Sequence, residues 1–279
     1  MEVIELEVDK NLELYIVGDL HLPRGKKETF KQVIDEIRRK KNARMIGLGD
    51  WVEAIKYGDP RYDPEEVAQM IEDAGGEINM INEQWDEFEE LIKPLAEQGK
   101  ILGLHQGNHE YQYTKRHSFN GLKAICKRLD IKYLDYLPTV WRIKYGKNET
   151  KLMTLHGVGG GVAEGYEVRQ LDRHARIFDD IELIAEGHTH KLTVNSTSDR
   201  LKITEDNKLE QNKQWRCACG SFLGNYDIGK TSYSQRALYK PLPIGYVKVD
   251  LKEGNIEDVR AIPLWNINVI GETVKENHM

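Results

Sequence analysis

The chain has 279 residues, enough for one sizeable buried core or a core with an insertion. A net charge of −6 argues against a coat for nucleic acid, and no apolar run approaches the roughly 20 residues that cross a bilayer. Three cysteines are too few for a disulfide framework, and with no leader pattern after Met1 the chain reads as cytoplasmic.

In chain order, Leu12 to Val17 is an apolar strand that stops at Gly18-Asp19. Phe30, Val33, Ile34 and Ile37 recur at helical spacing, so a helix follows, and its basic end, Arg38 to Lys41, suits the helix dipole. Met45 to Leu48 is a second buried strand, ending at Gly49-Asp50. A long stretch then fits a helical insertion at about 57–98. Asp63-Pro64-Glu65-Glu66 starts one helix, Asp73 to Gly76 stops it, and a second helix runs from about Glu77 to Glu97. Its apolar face of Ile78, Ile81, Trp85, Phe88, Leu91 and Ile92 reads as packing onto the body of the protein.

Ile101 to Leu104, Leu152 to Leu155 and Ile181 to Ala185 are further strands. Trp141 to Tyr145 and Lys151 to Leu155 flank the turn residues Gly146-Lys147-Asn148, which predicts a hairpin. Shorter strands at Leu192 to Ser196, Trp215 to Cys219, Tyr246 to Asp250 and Val259 to Ile262 predict a second sheet packed on the first. Cys217 and Cys219 alternate on one of them, so they read as one buried face, there being no second thiolate pair for a zinc site.

Five polar fragments follow these strands: Asp19-Leu20-His21, Gly49-Asp50, Gly107-Asn108-His109-Glu110, His156-Gly157 and Gly187-His188-Thr189-His190. Five of the nine histidines fall inside them. Strand C-terminal ends are where open α/β sheets place ligands, and the adjacent glycines let the backbone turn sharply. Asp and Asn offer hard oxygen and neutral imidazole offers borderline nitrogen, a mixture that accepts Mn, Fe, Co, Ni or Zn. Asp19 and His21 alternate and can face one ion, and the Asp50 carboxylate can bridge two. Two ions about 3.5–4 Å apart can polarise a phosphoryl group, generate a bridging hydroxide and stabilise the leaving oxygen.

The ordered set Asp-x-His, Gly-Asp, Gly-Asn-His-Glu, His and Gly-His-x-His resembles the calcineurin-like metallophosphoesterase superfamily, over about residues 12 to 192. That resemblance implies one domain across residues 1–279, built as a four-layer αββα sandwich of two mixed sheets flanked by helices. It implies two divalent transition metals, manganese foremost. Asp19, His21, Asp50 and His190 would hold one, and Asp50, Asn108, His156 and His188 the other. It also implies that His109 protonates the leaving alkoxide, with Glu110 behind it, in one reading orienting that ring. Glu53 matches an acidic position common after the second motif. Arg24, on a loop after the first motif, reads as a candidate phosphate clamp.

Trp51-Val52-Glu53 stands where the Ser/Thr protein phosphatases carry an Asp-Arg-Gly element, so that branch is disfavoured. The glycine run Gly157 to Gly161, and Ser221-Phe222-Leu223 with Thr231 to Ser234, are similar to less specialised bacterial, archaeal and viral members. The expectation is a phosphodiesterase acting on nucleotides or nucleic acid. A phosphomonoesterase with the same core, or a non-catalytic scaffold, are the alternatives. His105 reads as packing near the third motif, His174 as a helix-surface residue, and Tyr111, Tyr113, Arg116 and His117 as one amphipathic helix, with contact to substrate as the alternative.

Overall fold

The structure is a computed structural model and describes residues 1–9, 11–54, 67–68, 71–72, 74–159, 163, 165–224, 238 and 240–264. The helix start expected at Asp63 to Glu66, the Asp73 stop, and the Thr231 to Ser234 segment lie outside the described residues.

The elements in chain order are β1 (Glu2–Glu7), β2 (Leu12–Val17), α1 (Lys27–Arg39), β3 (Ala43–Gly47), α2 (Glu77–Ala96), β4 (Ile101–Leu104), α3 (Asn108–His117), α4 (Gly121–Arg128), β5 (Thr139–Tyr145), β6 (Asn148–Leu155), α5 (Tyr166–Ala175), β7 (Leu183–Glu186), β8 (Leu192–Ile203), β9 (Leu209–Cys219), β10 (Gly245–Lys252) and β11 (Asn255–Pro263). They form two mixed sheets, one ordered β1-β5-β6-β7-β9-β8 and the other β11-β10-β2-β3-β4. In the second sheet β2, β3 and β4 are parallel neighbours, and in the first β6 and β7 are.

Alternation along the strands sorts the apolar residues into layers. Leu14, Ile16, Leu152, Leu183, Ala185, Cys217, Cys219 and Val247 meet between the sheets. The intervening Tyr15 and Val17 face outward onto α1 and α2, packing with Phe30, Val33, Phe88 and Ile92. On the far side Met153, Ile184 and Ala218 pack against Leu171 and Ala175 of α5. The four-layer arrangement follows, and the two cysteines are free and buried.

Residues of α2 do pack on the body. Phe88 is fully buried and stacks on Trp51, with ring centroids 4.8 Å apart. α1 ends in its basic turn, and Lys100 from the start of β4 donates to the carbonyls of Ile37, Arg38 and Lys40 at 2.9, 2.7 and 2.7 Å. That lysine occupies the orphan acceptors of the helix end.

Three expectations change, and β1 was not foreseen. The four short C-terminal strands do not form one second sheet, since β8 and β9 join β5, β6 and β7 while β10 and β11 extend the sheet of β2, β3 and β4. The strands expected at Leu192 and Trp215 are the inner halves of one long hairpin, β8–β9, whose outer half carries too many polar residues to announce a strand. β1 joins the six-stranded sheet as a parallel partner of β5, where Glu5 pairs with Arg142 at 2.6 Å and Lys144 at 2.7 Å. His174 is buried, not on the surface, with Nδ1 2.9 Å from Glu186 Oε2. The helix turns that residue toward β7, and a carboxylate at the end of β7 receives it.

Candidate metal centre

All five fragments emerge from the C-terminal ends of β2, β3, β4, β6 and β7, where the two sheets abut. The loops continue to pair beyond the strands. Asp19 and His21 donate their amides to the carbonyls of Gly49 and Asp50 at 2.8 and 2.9 Å, and the Gly187 amide reaches the His156 carbonyl at 3.0 Å. Two glycines permit this closeness. A Cβ on Gly107 would collide with the Asp50 backbone and carboxylate, and one on Gly187 would come 2.5 Å from Asp19 Oδ2.

The backbone is strained at the same points. Asp19, His21, Asp50, His188 and His190 all take left-handed φ values, between 53° and 64°. Each such non-glycine residue is disfavoured by roughly 1–2 kcal/mol and persists because its surroundings over-determine it. Five of the seven expected ligands share this conformation at the site where their side chains gather.

Asp50 occupies the centre. Its Oδ2 lies 3.3 Å from His156 Nε2, and 3.8 Å from the Nε2 atoms of both His21 and His109. On one side, Asp19, His21 and His190 gather as one potential ligand group. His21 and His190 bring their Nε2 atoms within 3.0 Å of each other, and Asp19 Oδ1 is 3.4 Å from the latter. On the other side, Asp50, His156 and His188 form a second group. Asn108 Oδ1 stands 2.9 Å from His156 Nε2. A third group, His21, Glu53 and His109, was not expected, and it makes Glu53 a direct neighbour of both imidazoles.

Hydrogen bonds around the ligands fix their aim. His156 Nδ1 lies 2.8 Å from the Leu48 carbonyl, so it donates there and leaves Nε2 facing Asp50. Asp19 accepts the His188 amide through both oxygens, at 3.1 and 2.9 Å. Asp50 Oδ1 accepts the His109 amide at 2.9 Å. His109 Nδ1 is 2.8 Å from the Glu53 carbonyl and 3.3 Å from its carboxylate.

Glu110 has a different part from the one expected. Its carboxylate accepts the amides of Gly107 at 2.7 Å, Asp50 at 3.2 Å and Val52 at 3.2 Å, and that of Trp51 besides. It therefore locks the Asp50 loop onto the first turn of α3, and Glu53 is the acid that reaches His109. Arg24 points its guanidinium to Glu53 Oε1 at 3.4 Å, at the rim of the site. His105 is fully buried, with Nε2 2.8 Å from Thr154 Oγ1, and burial pushes it down to about 3. Tyr113 packs against the core and stacks on His117, as an amphipathic helix would have it.

Tyr136 is the residue that sequence reading missed. It sits on the loop between α4 and β5, its ring centroid 6.0 Å from that of His156 and 4.9 Å from that of Tyr111, which it stacks upon. An Asp-Tyr-Leu-Pro loop far from every motif carries no signal for this.

The electrostatics suit cations. Burial raises Asp19, Asp50 and Glu53, yet neighbouring imidazoles outweigh it. His190 and His21 hold Asp19 well below the carboxylate range, His156 and His109 do so for Asp50, and His21 and His109 bring Glu53 to about 2. Conversely burial lowers His21 and His156, but Glu53 and Asp19 hold the first well above its usual value, and Asp50 pushes the second to about 9. Burial, then the charge of His156, lowers His188. Burial and Asp50 push Glu110 up to about 7. Without metal, protons on imidazole balance the buried carboxylates; divalent ions would displace them. The donor set fits such ions, and His21 Nδ1 and Glu53 Oε2 are buried polar atoms with no hydrogen-bond partner among the described residues.

A mixed-sheet sandwich with a largely buried Asp, Asn and His cluster at its strand ends defines a metal-binding phosphoesterase class. The chain belongs to the calcineurin-like phosphoesterase family, whose model matches residues 12–192. That membership supports metal-dependent phosphoester hydrolysis with divalent ions. No curated protein matches the chain. Among solved structures, a predicted phosphoesterase of Streptococcus pneumoniae is 12% identical over 91% of this chain and 90% of its own, with a TM-score of 0.39. Vps29 of Entamoeba histolytica, solved with zinc, is 13% identical over 91% and 98%, with a TM-score of 0.42. The calcineurin-like phosphoesterase YfkN of Bacillus subtilis is 10% identical over 91% and 90%, with a TM-score of 0.39. Among the described residues no helix is long and apolar enough to cross a membrane.

Proposed function

We propose that this chain is a phosphodiesterase that works with two divalent ions, acting on nucleotides or nucleic acid. The observation that carries the reading is the place of Asp50, whose one carboxylate oxygen faces imidazoles of both ligand groups, His156 at 3.3 Å and His21 at 3.8 Å. Asp19, His21, Asp50 and His190 would hold one ion, and Asp50, Asn108, His156 and His188 the other. When bound, such ions activate water and neutralise phosphoryl charge.

The chain's own residues supply the rest. His109 presents Nε2 to the site, 3.8 Å from Asp50, while Nδ1 is held by Glu53, so it can deliver a proton to the leaving alkoxide. Glu53 and the Glu110 lock keep that ring and the Asp50 loop in place. Arg24, held by Glu53 at the rim, can meet a phosphate oxygen. The diester preference is supported by the lack of an Asp-Arg-Gly element after Asp50.

Bound metal is to be counted by elemental analysis, and hydrolysis of bis(p-nitrophenyl) phosphate compared with p-nitrophenyl phosphate in Mn, Ni or Zn. Diester turnover with two metals per chain supports the reading. Faster monoester turnover would replace it with a phosphomonoesterase, and no turnover with both metals bound would favour a non-catalytic role.

A further inference from the structure

Tyr136 has a hydroxyl that packing does not require. Its hydrogen bond to the Gly157 carbonyl is 3.4 Å long, beyond the usual O–H···O range, and Gly157 directly follows His156. The ring is half-buried and belongs to none of the three apolar cores. It is held by Tyr111, with ring planes only 10° apart, and Tyr111 lies three residues after Asn108, on the same face of α3. A phenylalanine would stack as well. What the phenol adds is one proton donor beside His156.

We propose that Tyr136 contacts substrate, its hydroxyl donating a hydrogen bond to a non-bridging oxygen of the bound phosphate ester while Tyr111 holds the ring in place. This rests on the phosphoester reading above. A neutral donor here would strengthen as negative charge gathers on the phosphoryl group, and its loss removes one bond to a charged acceptor, roughly a tenfold to hundredfold effect.

The test compares Mn-loaded wild type with Tyr136→Phe in two measurements, the Kd of inorganic phosphate by calorimetry and kcat/KM on bis(p-nitrophenyl) phosphate. Tyr136→Phe is expected to weaken phosphate binding and lower kcat/KM by about tenfold to a hundredfold, with metal content and melting temperature unchanged. Equal phosphate affinity and equal kcat/KM in the two proteins overturn the proposal, as does loss of metal from the variant. A wild type that binds phosphate yet hydrolyses neither diester nor monoester overturns the hydrolase reading alone, because the two Kd values still decide the part played by Tyr136. A metal-loaded wild type that does not bind phosphate overturns both.

Discussion

The Nδ1 atom of His109 lies 2.8 Å from the carbonyl oxygen of Glu53 and 3.3 Å from its carboxylate, so one residue sets both the tautomer and the charge environment of the ring. Nε2 is left pointing into the site. His109→Ala should therefore lower turnover by about 10²- to 10⁴-fold while metal content stays near that of wild type. Elemental analysis beside steady-state kinetics checks it; metal loss in the variant would mean that His109 is a ligand instead.

Asp50 should be indispensable to metal retention. Asp50→Ala removes the carboxylate that the imidazoles of both groups face, and it also leaves the His109 amide without its acceptor. The expected outcome is loss of both ions and all hydrolysis, measured after dialysis and metal counting. A variant that keeps two ions would contradict the bridging role.

Metal uptake should depend on pH with a definite sign. In the metal-free fold His156 titrates at about 9, above the ordinary 6.5. A folded pKa raised in this way contributes stability fully below about 6.5 and loses it as pH rises through about 9. Coordination needs the neutral ring, so metal affinity should climb over the same interval, and loading at pH 7 should release protons. Calorimetry in two buffers of different ionisation enthalpy counts them; zero release at pH 7 would be the contrary result.

Phe88 ties α2 to the metal loop, since it stacks on Trp51, the residue after Asp50, and is fully buried. Phe88→Ala should destabilise the protein by about 3–5 kcal/mol through the cavity it leaves. Because Trp51 then loses its stacking partner, metal affinity should fall as well. Denaturant unfolding of the metal-free protein separates the two effects; unchanged stability would mean the site collapses without strain.

Local rules made much of this molecule legible. Period-two alternation put Cys217 and Cys219 on one buried face, because successive strand side chains point to opposite sides whatever lies beyond them, and the structure sorts Leu14 and Ile16 from Tyr15 and Val17 by the same rule. The motif fragments at strand ends identified the candidate ligands for the same reason: a strand delivers the residue after it to the sheet's edge. The left-handed backbone at Asp19, His21, Asp50, His188 and His190 had no such herald, as non-glycine residues adopt it only where the surroundings compel it.

What the sequence by itself determined was the apolar strands that carry the motifs, the ligand chemistry and the family of folds, since those depend on neighbours along the chain; polar β1 and the outer half of β8–β9 escaped it. Tertiary structure alone decided who meets whom. It sent Glu110 to the amides of the Asp50 loop and Glu53 to His109, buried His174 against Glu186, set Lys100 on the end of α1 and brought Tyr136 beside His156. Each of those partners is separated by a loop or a whole element, and only the docking of two sheets fixes such distances.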